Sequence, residues 1–169
     1  MIGFIASFVL SFVAYLFLTA NQGDILGLWS QYEMIFAVIV SLIVAMISTK
    51  ILFQKKRYRL LNPFRWVIFL FYLIGPFFVA MAKANIDVAY RVITGKINPG
   101  IVKISPNLKS DAAITLLANS ITLTPGTLSV DIDENKNDLY IHWINVTNLN
   151  PAIEDICGSF PTWARRIAE

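Results

Sequence analysis

The side chains of this sequence that could carry out chemistry lie in its second half, around a single histidine, His142. The hydroxyl and carboxyl groups that could complete a Ser/His/Asp arrangement with it belong to Ser120, Thr122, Thr124, Asp131 and Asp133. A small membrane-anchored hydrolase that uses Ser120 or His142 is therefore one hypothesis. No nucleophile-elbow motif surrounds any serine, however, and hydroxyl side chains are common at helix ends and turns because they cap backbone groups there. The sequence accordingly predicts no catalytic residue and a protein that is not an enzyme by itself.

The residues available for metals, cofactors and disulfides are too few to predict such a site. One histidine among scattered carboxylates does not make a metal site, and the sequence has no glycine-rich phosphate-binding loop of either standard pattern. The single cysteine, Cys157, has no partner for an intramolecular disulfide and is expected to be a small buried apolar side chain. We therefore expect no cofactor-binding or metal-ligating residues.

The composition indicates a membrane protein with a polar appendage. Of the 169 residues, 56% are apolar and 15% are charged, and the mean hydropathy is +0.62, whereas a soluble globular domain has about 25% charged residues. The net charge of +3 reflects a local basic cluster in the first half. Since residues 83–169 carry eight basic and nine acidic side chains, a nucleic-acid-binding surface is not expected.

Two long apolar runs predict membrane-spanning helices, at about residues 2–20 and 32–52. Each is close to the roughly 20 residues that a bilayer core requires, and neither has an ionisable residue at membrane depth. A chain with this property has no proton or cation relay of its own. In an ion transporter it would be a supporting subunit.

The loop that follows, Lys55–Arg65, has five basic residues and no acidic one. Short basic loops stay on the cytoplasmic side of a membrane. This loop therefore predicts a cytoplasmic N-terminus, a short outer turn and a return to the cytoplasm. Binding of anionic lipid is the alternative explanation of the same cluster.

A third apolar run, Trp66–Ala82, leaves two topologies open. It is interrupted by Gly75-Pro76, a pair that kinks or ends a helix. A full crossing would place the polar half of the chain outside the cell. A segment that is embedded in the membrane or re-entrant would leave the polar half in the cytoplasm.

Residues 83–95 predict an amphipathic helix at the membrane surface that ends near Gly95. Lys83, Asp87 and Arg91 lie four residues apart, so their alternating charges share one helix face. The membrane region then covers residues 1–82.

Residues 99–169 predict a small α/β domain. Its elements in chain order are a strand at Gly100–Ile104, a helix capped by Ser110 from Asp111 to about Ser120, antiparallel strands at Thr127–Asp133 and Leu139–Val146, and a final helix from near Pro151 that carries Ile153, Ile156, Phe160 and Trp163 at helical spacing. This β-α-β-β-α order is half of a ferredoxin-like fold, with at least one open sheet edge.

The hydroxyl-rich run Leu116–Thr127 predicts a structural element. Its first part ends the helix, and Ile121–Thr124 offers hydroxyl groups to the helix-terminal carbonyls and turn amides. Pro125-Gly126 then reverses the chain, with glycine at the second central position of a type II turn.

Three stretches give the sequence a specific resemblance: "ANIDVAYRVI" (Ala84–Ile93), "LLANSITLTPGTLSVD" (Leu116–Asp131) and "LYIHWINV" (Leu139–Val146). They resemble the E-type subunit of the multisubunit cation/proton (Na⁺/H⁺) antiporter family (Mrp/Mnh/Pha type), including its counterpart in archaeal membrane-bound hydrogenase-like complexes. The residues of the family motifs that are expected to have structural or interface roles are Asn85, Asp87, Pro99, Gly100, Asp111, Asn119, Ser120, Thr122, Thr124, Pro125, Gly126, Thr127 and His142.

The resemblance implies an accessory, non-pumping subunit that is needed for the assembly and stability of a Na⁺/H⁺ antiporter module. It further implies a multi-pass protein of the cell membrane with a cytoplasmic C-terminal domain, no cofactor, and other membrane subunits and the lipid bilayer as partners. The alternative is the same subunit within a membrane-bound hydrogenase or related respiratory complex that couples electron transfer to ion pumping. Because a cytoplasmic polar half agrees with the basic loop only if residues 66–82 do not fully cross, two spans plus an embedded segment are favoured over three spans.

Overall fold

The computed structural model of the chain describes residues 2–21, 23–52, 62–133 and 135–169. They form two compact units, one within residues 1–61 and the other within residues 62–169. Most of the predicted basic loop, residues 55–61, lies outside the described residues. The predicted boundary of the membrane region at residue 82 falls inside the second unit.

The first unit is a hairpin of two apolar helices, α1 (Ile2–Thr19) and α2 (Gln31–Leu52), close to the predicted bounds. Three small side chains at four-residue spacing on α2, Ala37, Ser41 and Ala45, are fully buried, so this stripe faces α1. Small side chains let two helix backbones approach closely.

The turn of the hairpin is held by close backbone packing and by one tryptophan. A Cβ atom on Gly23 would lie 2.2 Å from the carbonyl carbon of Trp29, so the turn requires glycine at this position. The indole of Trp29 donates a hydrogen bond to the carbonyl oxygen of Leu16 (2.9 Å). Ser30 and Glu33 then form a reciprocal capping box that starts α2.

The second unit begins with one long helix, residues 63–94, built of α3 (Pro63–Tyr72), a π-helical turn (Leu73–Phe77) and α4 (Phe78–Thr94). Asn62 caps its start by accepting a hydrogen bond from the Phe64 amide (3.0 Å). Gly95, at φ +66°, ends it near the predicted position.

The prediction that Gly75-Pro76 kinks or ends the helix is wrong in one respect, because the helix continues through the pair. Proline has no amide hydrogen to donate to the preceding turn, and the π-helical turn, which contains Pro76, accommodates that gap. The third apolar run and the predicted amphipathic helix are therefore parts of the same helix.

Two described helices are long and apolar enough to cross a bilayer, by length and composition only. They are Gln31–Ile51 and Pro63–Thr94, and α1 is a shorter apolar helix.

The α/β domain follows the predicted element order as far as its third strand. Its elements are β1 (Gly100–Ile104), α5 (Asp111–Leu123), β2 (Thr127–Asp133), β3 (Asp138–Trp143), α6 (Ile153–Cys157) and α7 (Phe160–Ala168). The strands form an antiparallel sheet in the order β1-β3-β2.

Three predictions within this domain are corrected. The strand β3 ends at Trp143, three residues before the predicted Val146, since Asn145 beyond it pairs with Asn98 only through an isolated bridge. The helix α5 runs three residues beyond Ser120, to Leu123, because its C-terminal carbonyls keep helical and hydroxyl partners there. The single final helix is two helices, since Gly158 adopts a positive φ and interrupts it.

One hydrophobic core joins the sheet, α5, α7 and the long helix. Its largest fully buried side chains include Tyr72, Leu117, Ile121, Leu139 and Ile141. The four apolar residues predicted on the last helix also pack here: Phe160 is buried and the other three are partly buried against the core.

Candidate functional site

The contact that joins the long helix to the α/β domain centres on Tyr72. Its side chain is only 1% exposed, and its hydroxyl donates a hydrogen bond to the Oγ of Ser120 (2.6 Å). The Ser120 hydroxyl in turn donates to the carbonyl oxygen of Leu116 (2.7 Å). Ser120, a predicted motif residue and candidate nucleophile, is therefore part of a buried structural hydrogen-bond chain.

Aromatic rings surround the Tyr72 ring and complete this contact. The centroids of Phe77, Phe160 and Trp163 each lie 5.9 Å from that of Tyr72, with the Phe160 ring edge-on. Such pairs stabilise a core beyond the area they bury. The sequence analysis did not single out Tyr72 as a contact residue. Its phenol hydroxyl lies in a charge-free apolar run, and a buried hydroxyl group requires a polar partner.

The contact extends along most of the long helix. Near its start, Arg65 donates a hydrogen bond to the carbonyl oxygen of Ile167 (2.7 Å). Near its end, a Cβ on Gly126 would lie 3.3 Å from Cγ2 of Val88, so α4 and the turn after α5 are in close proximity. Between them, partly buried apolar side chains pack on the core: Ile68, Phe69, Leu73, Phe77 and Ala80.

The opposite face of the same helix is apolar and exposed among the described residues 62–133 and 135–169. Its large exposed side chains within the third apolar run are Trp66, Val67, Leu70, Phe71, Ile74, Phe78 and Val79. An apolar face of this size on a water-facing surface is unusual for a soluble monomer. It indicates a surface that is covered by lipid or by protein.

The hydroxyl groups of the hydroxyl-rich run bond carbonyl and amide groups of the backbone. Thr124 donates to the carbonyl oxygen of Ser120 (2.8 Å), and Thr127 donates to that of Ile121 (2.8 Å). Thr122 accepts a hydrogen bond from the Ser129 amide (3.2 Å). These hydroxyls therefore terminate α5 and tie it to β2.

The turn at Pro125-Gly126 has the geometry expected of type II. The amide of Thr127 bonds the carbonyl oxygen of Thr124 (3.3 Å), and Gly126 has φ +88°. A side chain at Gly126 would also lie 3.0 Å from Cγ2 of Ile144. Glycine is thus required by conformation and by space.

The catalytic hypothesis finds no support in the geometry. His142 lies on β3, on the sheet face opposite the buried Leu139 and Ile141, beside Ile101 and Leu128 in the neighbouring strands. Ser120 is buried within the helical layer and is hydrogen-bonded to Tyr72. The structure does not bring these two candidates together.

Other motif residues have local roles. Asp87 forms a bidentate ion pair with Arg91 on the exposed helix face (2.6 and 2.9 Å), and Asn85 donates to the carbonyl of Met81 (2.9 Å). A Cβ on Gly100 would lie 3.0 Å from Val146, so β1 starts where backbone and side chain are in close contact. Pro99 and Asn119 lie on the surface, and Asp111 occupies the first turn of α5.

A metal or a reactive thiol is not evident in the described ranges. Residues 2–21, 23–52, 62–133 and 135–169 contain no cluster of three or more His, Cys, Asp or Glu side chains that could hold a metal ion. Cys157 is 2% exposed, as predicted, and burial raises the pKa of its thiol to about 12. A thiol with that pKa is unreactive at neutral pH.

Comparison with known proteins matches nearly the whole chain. The family model for a Na⁺/H⁺ ion antiporter subunit, of the MnhE type, matches residues 8–167. The E-type Na⁺/H⁺ antiporter subunit of Alkalihalophilus pseudofirmus is 36% identical over 136 residues, which cover 79% of this chain and 86% of that protein. The corresponding Bacillus subtilis protein is 43% identical over 79 residues, covering 46% and 50% of the two chains.

A solved structure also has the same fold over its full length. A chain of the membrane-bound sulfane sulfur reductase, an archaeal respiratory membrane complex, superposes with a TM-score of 0.74 at 36% identity, covering 97% of this chain and 98% of that chain. The resemblance seen in the sequence is thereby confirmed. The protein belongs to the MnhE family of Na⁺/H⁺ antiporter subunits.

Proposed function

We propose that the protein is an accessory, non-pumping subunit of a Na⁺/H⁺ antiporter module and is needed for assembly and stability of that module. The observation that carries the proposal is the two-sided helix of residues 63–94. One face is fixed to the α/β domain through Tyr72, and the other presents a row of large apolar side chains. This arrangement suits a rigid support between a membrane and its neighbouring subunits.

A non-pumping role follows from the chemistry of the hairpin. The only charged side chains of α2 are Glu33 and Lys50, in its first and last turns, and α1 has none. Ion transfer at membrane depth normally depends on ionisable residues there. The ion path is therefore assigned to other subunits of the module.

The same helix supports a topology of two spans and one surface-embedded helix. Its contacts with the α/β domain run from Arg65 to Val88. The 23 residue-to-residue steps between them cover about 35 Å at about 1.5 Å per step, more than the roughly 30 Å of a hydrocarbon core. A crossing would draw the charged domain into the bilayer, so we place the helix along the cytoplasmic surface with its apolar face in the lipid.

Thiol accessibility in sealed, oriented vesicles tests this topology. The buried Cys157 is replaced by alanine, and single cysteines are placed at Leu26, in the exposed turn of the hairpin, or at Lys136, in the exposed turn between β2 and β3. We expect an impermeant reagent to label the two positions from opposite sides, with residue 136 on the cytoplasmic side. Labelling of both from the same side would establish that the long helix crosses.

Deletion of the gene tests the accessory role. We expect the remaining subunits to purify as an incomplete complex with reduced Na⁺/H⁺ exchange, and expression of this chain in trans to restore both. The purified chain alone in liposomes should move neither ion. Transport by the chain alone, or a complete complex without it, would refute the proposal.

A second candidate function is the same supporting role in a respiratory membrane complex. The observation that favours it is the full-length match to a chain of the archaeal sulfane sulfur reductase. Purification of the complex through a tag on this chain distinguishes the two candidate functions. Co-purifying iron–sulfur proteins with electron-transfer activity would identify a respiratory complex, and their absence from an active antiporter would identify the stand-alone module.

A further inference from the structure

A surface groove with a volume of about 570 Å³ lies between the long helix and the last two helices of the α/β domain. One wall belongs to the long helix at and after the π-helical turn and includes Val79, Ala80 and Lys83. The other wall belongs to α6 and the start of α7 and includes Glu154 and Phe160. Sites for small ligands have volumes of this order. The groove is therefore large enough for a compact polar ligand.

The two walls carry opposite charges that are not paired with each other. Asp87, four residues after Lys83, is held by Arg91 (2.6 and 2.9 Å). Lys83 itself forms no hydrogen bond or ion pair with any residue that the structure describes. The carboxylate of Glu154 also has no such partner within the described ranges, whereas Asp155 beside it caps the start of α6. A ligand with one anionic and one cationic group would match both walls.

The groove opens beside the apolar face of the long helix. Val79 lines the groove and is also one of the large side chains of that face, at 50% exposure. Lys83 follows it one helical turn later on the same side of the helix. A hydrocarbon chain that lies against the apolar face would thus bring its polar head group to Lys83. Basic side chains beside the apolar face of a surface helix commonly pair with lipid phosphates in this way.

We propose that this groove binds the head group of a zwitterionic phospholipid with a primary ammonium group, as in phosphatidylethanolamine. The phosphate pairs with Lys83, and the ammonium, which lies farther from the hydrocarbon chains, donates hydrogen bonds to Glu154. A choline head group has no N–H donor and a glycerol head group has no cation, so neither satisfies both walls. The inference rests on the proposed function, since it requires the long helix to lie along the bilayer surface.

Native mass spectrometry of the purified full chain in mild detergent tests this assignment. The chain is mixed with equal amounts of phosphatidylethanolamine, phosphatidylcholine and phosphatidylglycerol that carry identical hydrocarbon chains. We expect the phosphatidylethanolamine adduct to exceed each of the others about fivefold, as one hydrogen bond to a charged group at an exposed site would produce.

Substitutions in the two walls separate their contributions. Lys83→Gln should weaken binding of all three lipids, whereas Lys96→Gln, at an exposed lysine beyond the end of α4, should change none of them. Glu154→Gln should remove the preference over phosphatidylcholine and increase the phosphatidylglycerol adduct. The exchange Lys83→Glu/Glu154→Lys keeps the net charge but sets each charge against the wrong part of the head group, so it should also remove the preference.

Three outcomes would overturn the proposal. They are equal adducts of the three lipids, a preference for phosphatidylglycerol in the unmodified chain, and a phosphatidylethanolamine preference that survives both Lys83→Gln and Glu154→Gln. These results concern the groove alone. If thiol labelling at positions 26 and 136 shows that the long helix crosses the bilayer, the proposed placement of that helix fails, which is a separate result.

Discussion

The hydrogen bond between Tyr72 and Ser120 gives a quantitative test of how the long helix is attached to the α/β domain. Tyr72→Phe removes the phenol hydroxyl but keeps the ring and its four aromatic neighbours. Ser120 retains its own bond to Leu116 in that variant. Ser120→Ala instead leaves the Tyr72 hydroxyl buried without a partner.

These two substitutions should destabilise the closed contact by different free energies. A net hydrogen bond contributes about 1 kcal/mol, so Tyr72→Phe should raise the opening equilibrium of this contact about fivefold. A buried hydroxyl without a partner costs about 1–3 kcal/mol, so Ser120→Ala should raise it roughly 30-fold. In the Tyr72→Phe/Ser120→Ala double variant no hydroxyl is left unpaired, and the increase should fall back close to that of Tyr72→Phe.

The lone thiol of Cys157 supplies the assay. It is buried beside this contact and is the only cysteine of the chain, so its reaction with a thiol reagent reports opening. Labelling rates of the full chain in mild detergent, measured under conditions where closing is faster than labelling, scale with the opening equilibrium. Tyr90→Phe, an exposed tyrosine on the same helix, is the matched control and should leave the rate unchanged.

The reasoning would be refuted by either of two results. If Tyr72→Phe and Ser120→Ala both changed labelling by less than twofold, the contact would not hold the helix on the domain. If the double variant were the sum of the single variants in free energy, the two hydroxyls would not be coupled.

Three further predictions follow from the same structure. Gly126→Ala should lower the yield of assembled complex on native gels before it alters exchange per assembled complex, because φ +88° is strained for alanine; normal assembly with lost exchange would contradict this. The hydrogen bond from Lys103 holds the pKa of Asp138 below its usual range, and the same bond raises the pKa of Lys103. The pair should therefore stabilise the domain between about pH 4 and pH 10.5 and lose that contribution at lower and at higher pH. Thermal unfolding of Lys103→Met should show a weaker loss of stability in acid, and an unchanged loss in acid would refute the assignment. A spin label at Phe71→Cys, in a Cys157→Ala background, should lie about 5–10 Å below the headgroups, and a label at the bilayer centre would show that the helix crosses.

The local architecture of the α/β domain was predictable because short-range chemistry determines it. Ser110 caps α5 by accepting from the Ala113 amide, and alternation along Thr127–Asp133 defines β2 at its observed bounds. Pro125-Gly126 forms the expected turn because only glycine adopts that φ easily. Each of these features depends on a few neighbouring residues.

The attachment of the third apolar run could not be predicted in the same way. The hydropathy of this run is high on both sides of its helix. Composition alone therefore cannot show which side packs on the α/β domain and which side is covered by lipid. Tyr72 and Ser120 are 48 residues apart, and no periodicity within one segment reports such a contact. The break in the final helix was also missed, because the apolar spacing continues across Gly158.

The π-helical turn acts as a one-residue insertion in the long helix. Counting at about 3.6 residues per turn from Arg65, an uninterrupted α-helix would direct Lys83 and Asp87 toward the α/β domain. The observed inner positions beyond the turn are Ala84 and Val88, one residue later, and the two charged residues lie outside. The Gly75-Pro76 pair thus resets the phase of the helix, so that a small and a branched apolar side chain meet the domain. The number of residues in the π-helical turn, and not only their type, therefore determines which side chains of α4 contact the α/β domain.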